Sequence, residues 1–209
     1  MPRYYPVCLD LEGKFCLVVG GGKIAERKIV SLLDYGAKVR VVSPKVTREI
    51  TDLFRQGKIW HEEREFQVGD LTGVFLVIAA TNIDQINKGI AREAQRHGLL
   101  INVVDAPADS TFILPAVLKR GDLAISISTG GKSPALARKM RQDMETQYGQ
   151  EYEILVDILG GLRADILRAE PDIEKRKGLF QRLAESDELL RTIREHGREA
   201  AEKKARELL

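Results

Sequence analysis

A glycine-rich turn near the N-terminus has the composition of a dinucleotide-binding site. The pattern G-x-G-x-x-G/A is matched by Gly20, Gly21, Gly22, Lys23, Ile24 and Ala25. In this pattern the first glycine permits a sharp turn, the second lets a pyrophosphate approach the backbone, and a small third residue lets a helix pack on the sheet. The amides at the start of that helix then face the phosphates. An ordinary tight turn is the alternative, but the flanking strand and helix patterns favour the dinucleotide.

The residues predicted to meet the adenosine ribose leave the choice of cofactor open. An acidic residue is expected about 20 positions after the glycines, where it would hold the ribose hydroxyls. Ser43, Pro44 and Lys45 stand there instead. Ser43 can hydrogen-bond a ribose hydroxyl, whereas Lys45 can meet a 2′-phosphate. We predict NAD, with NADP as the alternative.

Three predicted strands end in residues that could do chemistry, and the carboxyl ends of parallel strands share one edge of a sheet. The three segments are 79–82 (Ala-Ala-Thr-Asn), 102–105 (Asn-Val-Val-Asp) and 126–131 (Ser-Ile-Ser-Thr-Gly-Gly). Ala79 and Ala80 are small enough to let a cofactor lie against the backbone. Asp105 could act as a general base at the nicotinamide end of the cleft. Since aspartate also favours turns, capping of the turn into Ala106 is the alternative role for Asp105.

The elements that must position these residues alternate along the chain. Predicted strands at 15–19, 39–42, 58–61, 74–80 and 100–104 are separated by helical patterns at about 23–35, 47–55 and 83–97, the last containing a stripe of Ile83, Ile86, Ile90 and Ala94. This rhythm predicts an α/β fold, a Rossmann-type doubly wound parallel sheet. Strand-like runs at 112–119 and 123–128 then predict a β-hairpin, followed by a helix from 135 to about 148. We predict three parts: a Rossmann domain (1–112), a hairpin and helix dimerisation segment (113–150) and a C-terminal helical domain (151–209).

Composition excludes several classes of function. The 209 residues carry 33 basic and 31 acidic side chains, a net charge of +2 that argues against a general nucleic-acid binder. No apolar run is long enough to cross a membrane, and the N-terminus has no apolar core of a signal peptide. Cys8 and Cys16 form no disulfide framework, so we predict a cytoplasmic protein. The three histidines have no metal-ligand spacing, so no metal site is predicted; Trp60 is predicted to lie in the core.

Five motifs together resemble one family, the precorrin-2 dehydrogenases of the siroheme-synthase N-terminal type. In order they span residues 20–28, 79–82, 102–107, 112–115 and 128–138. The resemblance implies NAD-dependent oxidation of precorrin-2 to sirohydrochlorin by a homodimer, with the segment after Asp105 at the interface. It also implies that Asp105 is the essential aspartate. The cofactor contacts that it implies fall on Lys23, Ile24, Ser43, Pro44, Thr81, Asn82 and Val104, and we add Ala80 and Lys45 from the strand ends.

The substrate of that family carries many carboxylates, so its site is expected to be basic. Thr129, Gly130, Lys132, Ser133 and Arg138 are the predicted substrate-binding residues, and Ser133 with the proline after it resembles a helix N-cap. A solvated helix face is the alternative for these charges, which also include Lys119, Arg120 and Arg141.

Two other functions stay open at this stage. Some members of the family also insert ferrous iron into sirohydrochlorin, and the shared motifs do not separate the two kinds. The chain length predicts that the form fused to a methyltransferase domain is not present. A dinucleotide sensor without chemistry is the third possibility, which Asp105 and Lys132 argue against.

Overall fold

Five short apolar runs form one parallel sheet. The computed structural model describes residues 4–209, and its first five strands are β1 (Phe15–Val19), β2 (Lys38–Val42), β3 (Ile59–Glu62), β4 (Leu76–Ala79) and β5 (Leu100–Val103). Their order is β3-β2-β1-β4-β5, and every neighbouring pair is parallel. The chain therefore reverses its direction of winding between β1 and β4, where open α/β sheets bind ligands beyond the carboxyl ends of the strands. The predicted Rossmann-type sheet is confirmed.

Helices cover both faces of this sheet because the central strands are apolar on both sides. The helices are α1 (Lys23–Asp34), α2 (Arg48–Arg55) and α3 (Asp84–Arg96), and short 3₁₀ turns lie at Val68–Leu71 and Pro107–Asp109. On one face Cys16 and Val18 pack with Ile29 of α1. On the other face Leu17 packs in a cluster that includes Ile90 of α3. These two clusters fix the ends of the strands that carry the candidate site.

The prediction that Trp60 is buried is wrong. Trp60 was expected in the core, yet it is 51% exposed and stacks against Phe15 with ring centroids 5.9 Å apart. Since Trp60 lies on the edge strand β3 and α3 packs on β4 and β5 instead, its face of the sheet stays open to solvent. Ile83 and Ile86 of the predicted stripe are exposed, since Ile83 precedes α3 as its N-cap residue, whereas Ile90 and Ala94 of the stripe are buried.

The chain divides into two compact units, Met1–Leu114 and Pro115–Leu209. The second unit contains the antiparallel hairpin of β6 (Ala116–Arg120) and β7 (Leu123–Ile127), on which α4 (Pro134–Gln147) packs. It continues with α5 (Glu151–Ala169), α6 (Ile173–Ala184) and α7 (Asp187–Glu207), which is interrupted at Gly197. We predicted separate parts at 113–150 and 151–209, whereas the structure groups them in one unit.

Candidate functional site

The glycine turn after β1 packs so tightly against the loop that follows β4 that no side chain fits between them. Gly20 has a φ of +123°, and a Cβ there would overlap the carbonyl oxygen of Ala80 and lie 3.1 Å from the Thr81 nitrogen. The Ala80 amide in turn donates to the Val19 carbonyl at 2.8 Å. Only glycine fits this backbone conformation and this close approach. The turn is therefore held against the β4–α3 loop before any ligand binds.

Gly21 packs tightly against the loop after β2, whereas Gly22 has open space where a Cβ would lie. A Cβ on Gly21 would overlap the Lys45 carbonyl oxygen and lie 2.8 Å from Ser43 Oγ, whereas a Cβ on Gly22 would meet nothing within 4 Å. Gly22 caps α1 without a side-chain cap, so the first amides of the helix are left for another acceptor. An open glycine beside uncapped amides and a positive helix end fits a pyrophosphate. The residues present therefore fit a dinucleotide.

Lys23 can bind a phosphate through its backbone amide rather than through its side-chain charge. Its Nζ lies 3.1 Å from Glu49 and 3.2 Å from Glu26, and these hydrogen bonds raise the pKa of Lys23. Glu26 also accepts a hydrogen bond from Thr47 Oγ1 at 2.8 Å. Because the ammonium is already neutralised by two carboxylates, a phosphate would meet the Lys23 amide at the helix start. Ile24 follows it with a 37% exposed side chain.

The predicted ribose contacts lie at the end of β2. Ser43 is buried and its hydroxyl donates to the Lys45 carbonyl at 2.7 Å, while its own carbonyl lies 3.0 Å from His61 Nε2. The Ser43 hydroxyl therefore keeps its lone pairs for a ribose hydroxyl. Pro44 and Lys45 are exposed, and Lys45 forms no ion pair with any residue in the range 4–209. Both a ribose hydroxyl, at Ser43, and a 2′-phosphate, at Lys45, would find a partner here, so the structure by itself does not determine NAD or NADP.

The loop after β4 is held from inside the protein. The buried side chain of Asn87 forms hydrogen bonds with the amide, the carbonyl and the hydroxyl of Thr81. The side chain of Asn82, in contrast, is exposed and forms no hydrogen bond with any other described residue. Val104 joins the same edge, since its amide donates to the Ala79 carbonyl at 3.0 Å. Sequence reasoning missed Asn87, because a polar residue inside a helical apolar pattern has no visible partner until the fold is known.

Asp105 lies two residues beyond β5 in a left-handed conformation, with a φ of +59°. Among residues 4–209 it is the one residue other than glycine with a positive φ, a conformation in which aspartate is enriched but still strained. The Ala106 amide closes the turn onto the Val103 carbonyl at 3.2 Å. The Asp105 side chain is exposed and accepts no hydrogen bond from any residue that the structure describes. The backbone thus turns here while the carboxylate stays available.

Lys28 is a second charged group near Asp105 that the sequence analysis did not single out. It lies on α1 beside the buried Ile29 and is itself half-buried. Burial lowers the pKa of Lys28, the charge of Arg27 lowers it further, and the carboxylate of Asp105 opposes both effects. Lys28 therefore contributes a partly buried positive charge to the surroundings of Asp105.

The loop that carries Asp105 is anchored along the open edge of β5. The Thr111 amide donates to the Ile101 carbonyl and the Ile101 amide donates to Thr111 Oγ1, both at 2.9 Å. The Val103 amide donates to Ser110 Oγ at 2.9 Å. Tyr4 OH donates to the Pro107 carbonyl at 3.3 Å. These bonds satisfy the edge of the sheet and restrict the turn at Asp105, although hydroxyl side chains at such spacing carry no distinctive sequence signal.

The predicted substrate-binding residues lie in the second unit, at the start of α4. Ser133 is the N-cap, since its hydroxyl accepts from the Leu136 amide at 3.3 Å. Thr129 Oγ1 accepts from the Ser133 amide at 3.0 Å, and Gly130 takes a φ of +63° in the intervening turn. The N-cap and the proline at the first helical position agree with the sequence pattern.

The basic residues of this segment differ in how they are partnered. Lys139 pairs with Asp143 at 2.7 Å, Arg141 pairs with Glu145, and Arg120 donates to the Tyr148 carbonyl at 3.0 Å. Lys132 and Arg138 are exposed and pair with no carboxylate among residues 4–209. They are therefore the two cations here that remain available to an acidic ligand.

Other candidate chemistry does not converge in the part of the chain that the structure describes. No three His, Cys, Asp or Glu side chains in residues 4–209 come close enough to hold a metal ion. Both cysteines are free, and burial raises the pKa of the Cys16 thiol to about 11. No helix in this range is both long and apolar enough to span a bilayer.

Comparison with known proteins gives two family matches. Residues 7–116 match the family described as "Putative NAD(P)-binding", and residues 120–147 match the family described as "Sirohaem biosynthesis protein central". The first match covers more than half of the chain and agrees with a nicotinamide dinucleotide as the cofactor.

Individual relatives point the same way. Siroheme synthase 1 of Aeromonas salmonicida is 39% identical over 186 residues, which are 89% of this chain and 40% of that protein. Siroheme synthase of Pseudomonas entomophila is 38% identical over 197 residues, or 94% of this chain and 42% of the relative. The chain thus spans about 40% of the length of these relatives. Among solved structures, "SirC, precorrin-2 dehydrogenase" superimposes with a TM-score of 0.79 and 28% identity over 98% of this chain and 100% of that one.

Proposed function

We propose, from the premise that this chain belongs to the NAD(P)-binding family of siroheme biosynthesis proteins, that it oxidises precorrin-2 to sirohydrochlorin with NAD. The observation that carries the proposal is the likeness to a precorrin-2 dehydrogenase along the whole length of both chains. The glycine turn, the available carboxylate at the end of β5 and the free cations at the start of α4 supply the parts that this reaction needs.

The residues at the end of β2 support NAD over NADP. Ser43 can accept a hydrogen bond from a ribose hydroxyl, which NAD has and which the 2′-phosphate of NADP replaces. Lys45 is the one residue here that would favour the phosphate, and its side chain is exposed and solvated. The weak attraction of an exposed cation leaves the balance with NAD.

Asp105 is the proposed general base. Oxidation of precorrin-2 removes two hydrogens, one as a hydride and one as a proton, and forms one new double bond. A nicotinamide ring bound at this edge supplies the acceptor for the hydride. Asp105 accepts the proton, since its carboxylate is exposed and engaged by no described residue.

The start of α4 is the proposed binding site for the substrate carboxylates. Lys132 and Arg138 supply charge, while Thr129, Gly130 and Ser133 shape the turn at the helix N-terminus. A helix N-terminus also favours an anion through its amides and its dipole. The N-cap bond of Ser133 is retained in this role, because it orders the turn that presents Lys132.

Iron insertion into sirohydrochlorin is a second candidate function. It is favoured by the names of the curated relatives, which are siroheme synthases, although this chain matches only about 40% of their length. Insertion of Fe²⁺ releases two pyrrole protons; Asp105 is available to accept one of them, and the other passes to water. Ferrous iron is a substrate in this reaction rather than a resident metal.

A homodimer is the proposed assembly. Leu136 and Met140 lie one turn apart on α4 and are 48% and 41% exposed, so α4 presents an apolar stripe to solvent. Val117, Ile125 and Ile127 of the β6–β7 hairpin are only half-buried although α4 packs on the hairpin, so it also offers apolar surface to a partner. Light scattering of the purified protein at micromolar concentration should give the mass of a dimer, and a monomer mass would contradict this assembly.

The test of the reaction is to mix the purified protein with precorrin-2 and NAD under anaerobic conditions, without iron. We expect the tetrapyrrole spectrum to change to that of sirohydrochlorin only when both protein and NAD are present. No change in the spectrum would contradict the dehydrogenase proposal. Adding ferrous iron after oxidation is complete tests the second function, since a chelatase converts sirohydrochlorin further and a dehydrogenase alone does not.

A further inference from the structure

We propose that Asn87 is the positioning residue that holds the β4–α3 loop, residues 80–82, in the conformation that receives the dinucleotide. The inference depends on dinucleotide binding and is independent of which substrate is oxidised. Asn87 lies on α3, one turn after the helix begins, and makes no direct part of the glycine turn.

The side chain of Asn87 forms three hydrogen bonds to one residue, Thr81, and we call this set of bonds the clamp. Its Oδ1 accepts hydrogen bonds from the Thr81 amide at 3.2 Å and from the Thr81 hydroxyl at 2.7 Å, and its Nδ2 donates to the Thr81 carbonyl at 3.0 Å. β4 ends at Ala79, so Thr81 lies beyond the ladder of the sheet. The carboxamide supplies the donor and acceptor that a neighbouring strand would otherwise supply.

The burial of Asn87 indicates that an amide is needed at this position for its hydrogen bonds and not for packing. Asn87 is 6% exposed, and the other buried residues of α3 are Ile90, Ala91 and Ala94. An apolar side chain would satisfy the packing of this face at lower cost, because a buried amide destabilises the fold unless it is hydrogen-bonded. Here every polar atom of the side chain bonds Thr81. The cost of burying the Asn87 amide is therefore offset only when the loop holds Thr81 in this conformation.

The clamp divides the roles of the two predicted cofactor residues in the loop. The Thr81 hydroxyl donates to Asn87 and accepts from the Ile83 amide at 3.2 Å, so its polar groups face the protein. The side chain of Asn82 is exposed and bonds no other residue in the described range 4–209. We therefore assign the contact with the dinucleotide to Asn82 and a structural role to Thr81.

The clamp also reaches the glycine turn. The Ala80 amide donates a hydrogen bond to the Val19 carbonyl. The Ala80 carbonyl lies against Gly20, in space that a Cβ on Gly20 would occupy. A shift of Thr81 therefore moves the residue on which the turn rests. Asn87 fixes the loop and, through Ala80, the position of the turn that faces the pyrophosphate.

Asn87→Leu tests this proposal, because leucine is similar in size and cannot bond Thr81. We expect the dissociation constant for NAD, measured by calorimetry on the purified protein without substrate, to rise roughly 10- to 100-fold with the loss of the clamp's hydrogen bonds. Turnover at saturating NAD should fall far less. The matched control is Ile90→Ala on the same helix, which leaves a cavity and lowers the melting temperature without touching Thr81.

Two outcomes would overturn the proposal. One is a dissociation constant for NAD that is unchanged in Asn87→Leu, and the other is an equal rise in Ile90→Ala, which would mean that the stability of α3 alone matters. If Asn87→Leu does not fold, Asn82→Ala and Thr81→Val provide the same test. The proposal expects a larger rise in Asn82→Ala than in Thr81→Val, and the reverse order would contradict it. The dissociation constants for NAD are all measured without precorrin-2, so failure of this proposal is distinct from failure of the proposed reaction.

Discussion

The dinucleotide turn and the groups proposed to meet the substrate are built in opposite ways. Around Gly20 and Gly21 the backbone is in close contact with the loops after β2 and β4, and the polar groups of Thr81 are already bonded. Asp105, Lys132 and Arg138, in contrast, are exposed and bond no described side chain. The turn presents a fixed shape, whereas each of these three residues, which belong to two different units, presents a charge that is not engaged.

The difference follows from what each region must recognise. A pyrophosphate is bound through backbone amides at a helix start, so the position of the backbone decides the affinity. Substrate carboxylates and a proton in transfer are recognised through charge, which an internal ion pair would neutralise. Lys139 and Arg141 on α4 show the alternative, since both are neutralised by carboxylates one turn away. Variants in the two regions should therefore separate cofactor affinity from turnover.

Asp105→Asn should have the largest effect of all. The amide retains the size of the side chain but cannot accept the proton, and loss of a general base typically lowers the rate about 10²- to 10⁴-fold. Stopped-flow measurement of precorrin-2 oxidation gives the rate, and calorimetry should show an unchanged dissociation constant for NAD. A rate close to that of the wild type would mean that solvent or a substrate carboxylate accepts the proton.

Gly20→Ala should reduce cofactor affinity with a smaller effect on the chemistry. A Cβ at a φ of +123° is strained and overlaps the Ala80 carbonyl, so we expect the dissociation constant for NAD to rise roughly 100-fold. Gly89→Ala on α3 is the control, because a Cβ there meets nothing within 4 Å and the NAD affinity should not change. Equal affinities in the two variants would show that the turn is not in contact with the cofactor.

Ser43→Asp should sharpen the choice between cofactors. A carboxylate at the end of β2 can bond the ribose hydroxyls of NAD and repels the 2′-phosphate of NADP. We expect NAD to bind more tightly than NADP in the wild type, and the preference to increase about tenfold in the variant. Calorimetric titration with each cofactor measures both values, and tighter binding of NADP to the wild type would refute the assignment of NAD.

Lys132→Ala and Arg138→Ala should have the smallest effects. Each removes one exposed charge, so we expect the KM for precorrin-2 to rise only about two- to fivefold, with kcat and NAD affinity little changed. The rise should diminish at high salt, since exposed charges are screened. Lys139→Ala serves as the control because that ammonium is paired with Asp143. An equal rise in this control would assign the effect to net charge alone.

Local patterns predicted the sheet well, because each strand is a short run of buried apolar residues. The helix start at Ser133 followed from its residue type, and the Ser133 hydroxyl caps α4. Trp60 was predicted wrongly because the position of β3 at the sheet edge is a property of topology. The pairing of Asn87 with Thr81 and the approach of Lys28 to Asp105 are likewise tertiary, so no spacing in the sequence signals them.

The stoichiometry of the reaction tests the central claim most directly. Purified protein, precorrin-2 and a limiting amount of NAD are mixed with dioxygen and iron excluded, and NADH and sirohydrochlorin are both measured by absorbance. If the chain is an NAD-dependent dehydrogenase, one NADH appears for each sirohydrochlorin formed and the reaction stops when NAD is exhausted. Sirohydrochlorin formed without NADH, or no oxidation in the presence of bound NAD, would contradict it.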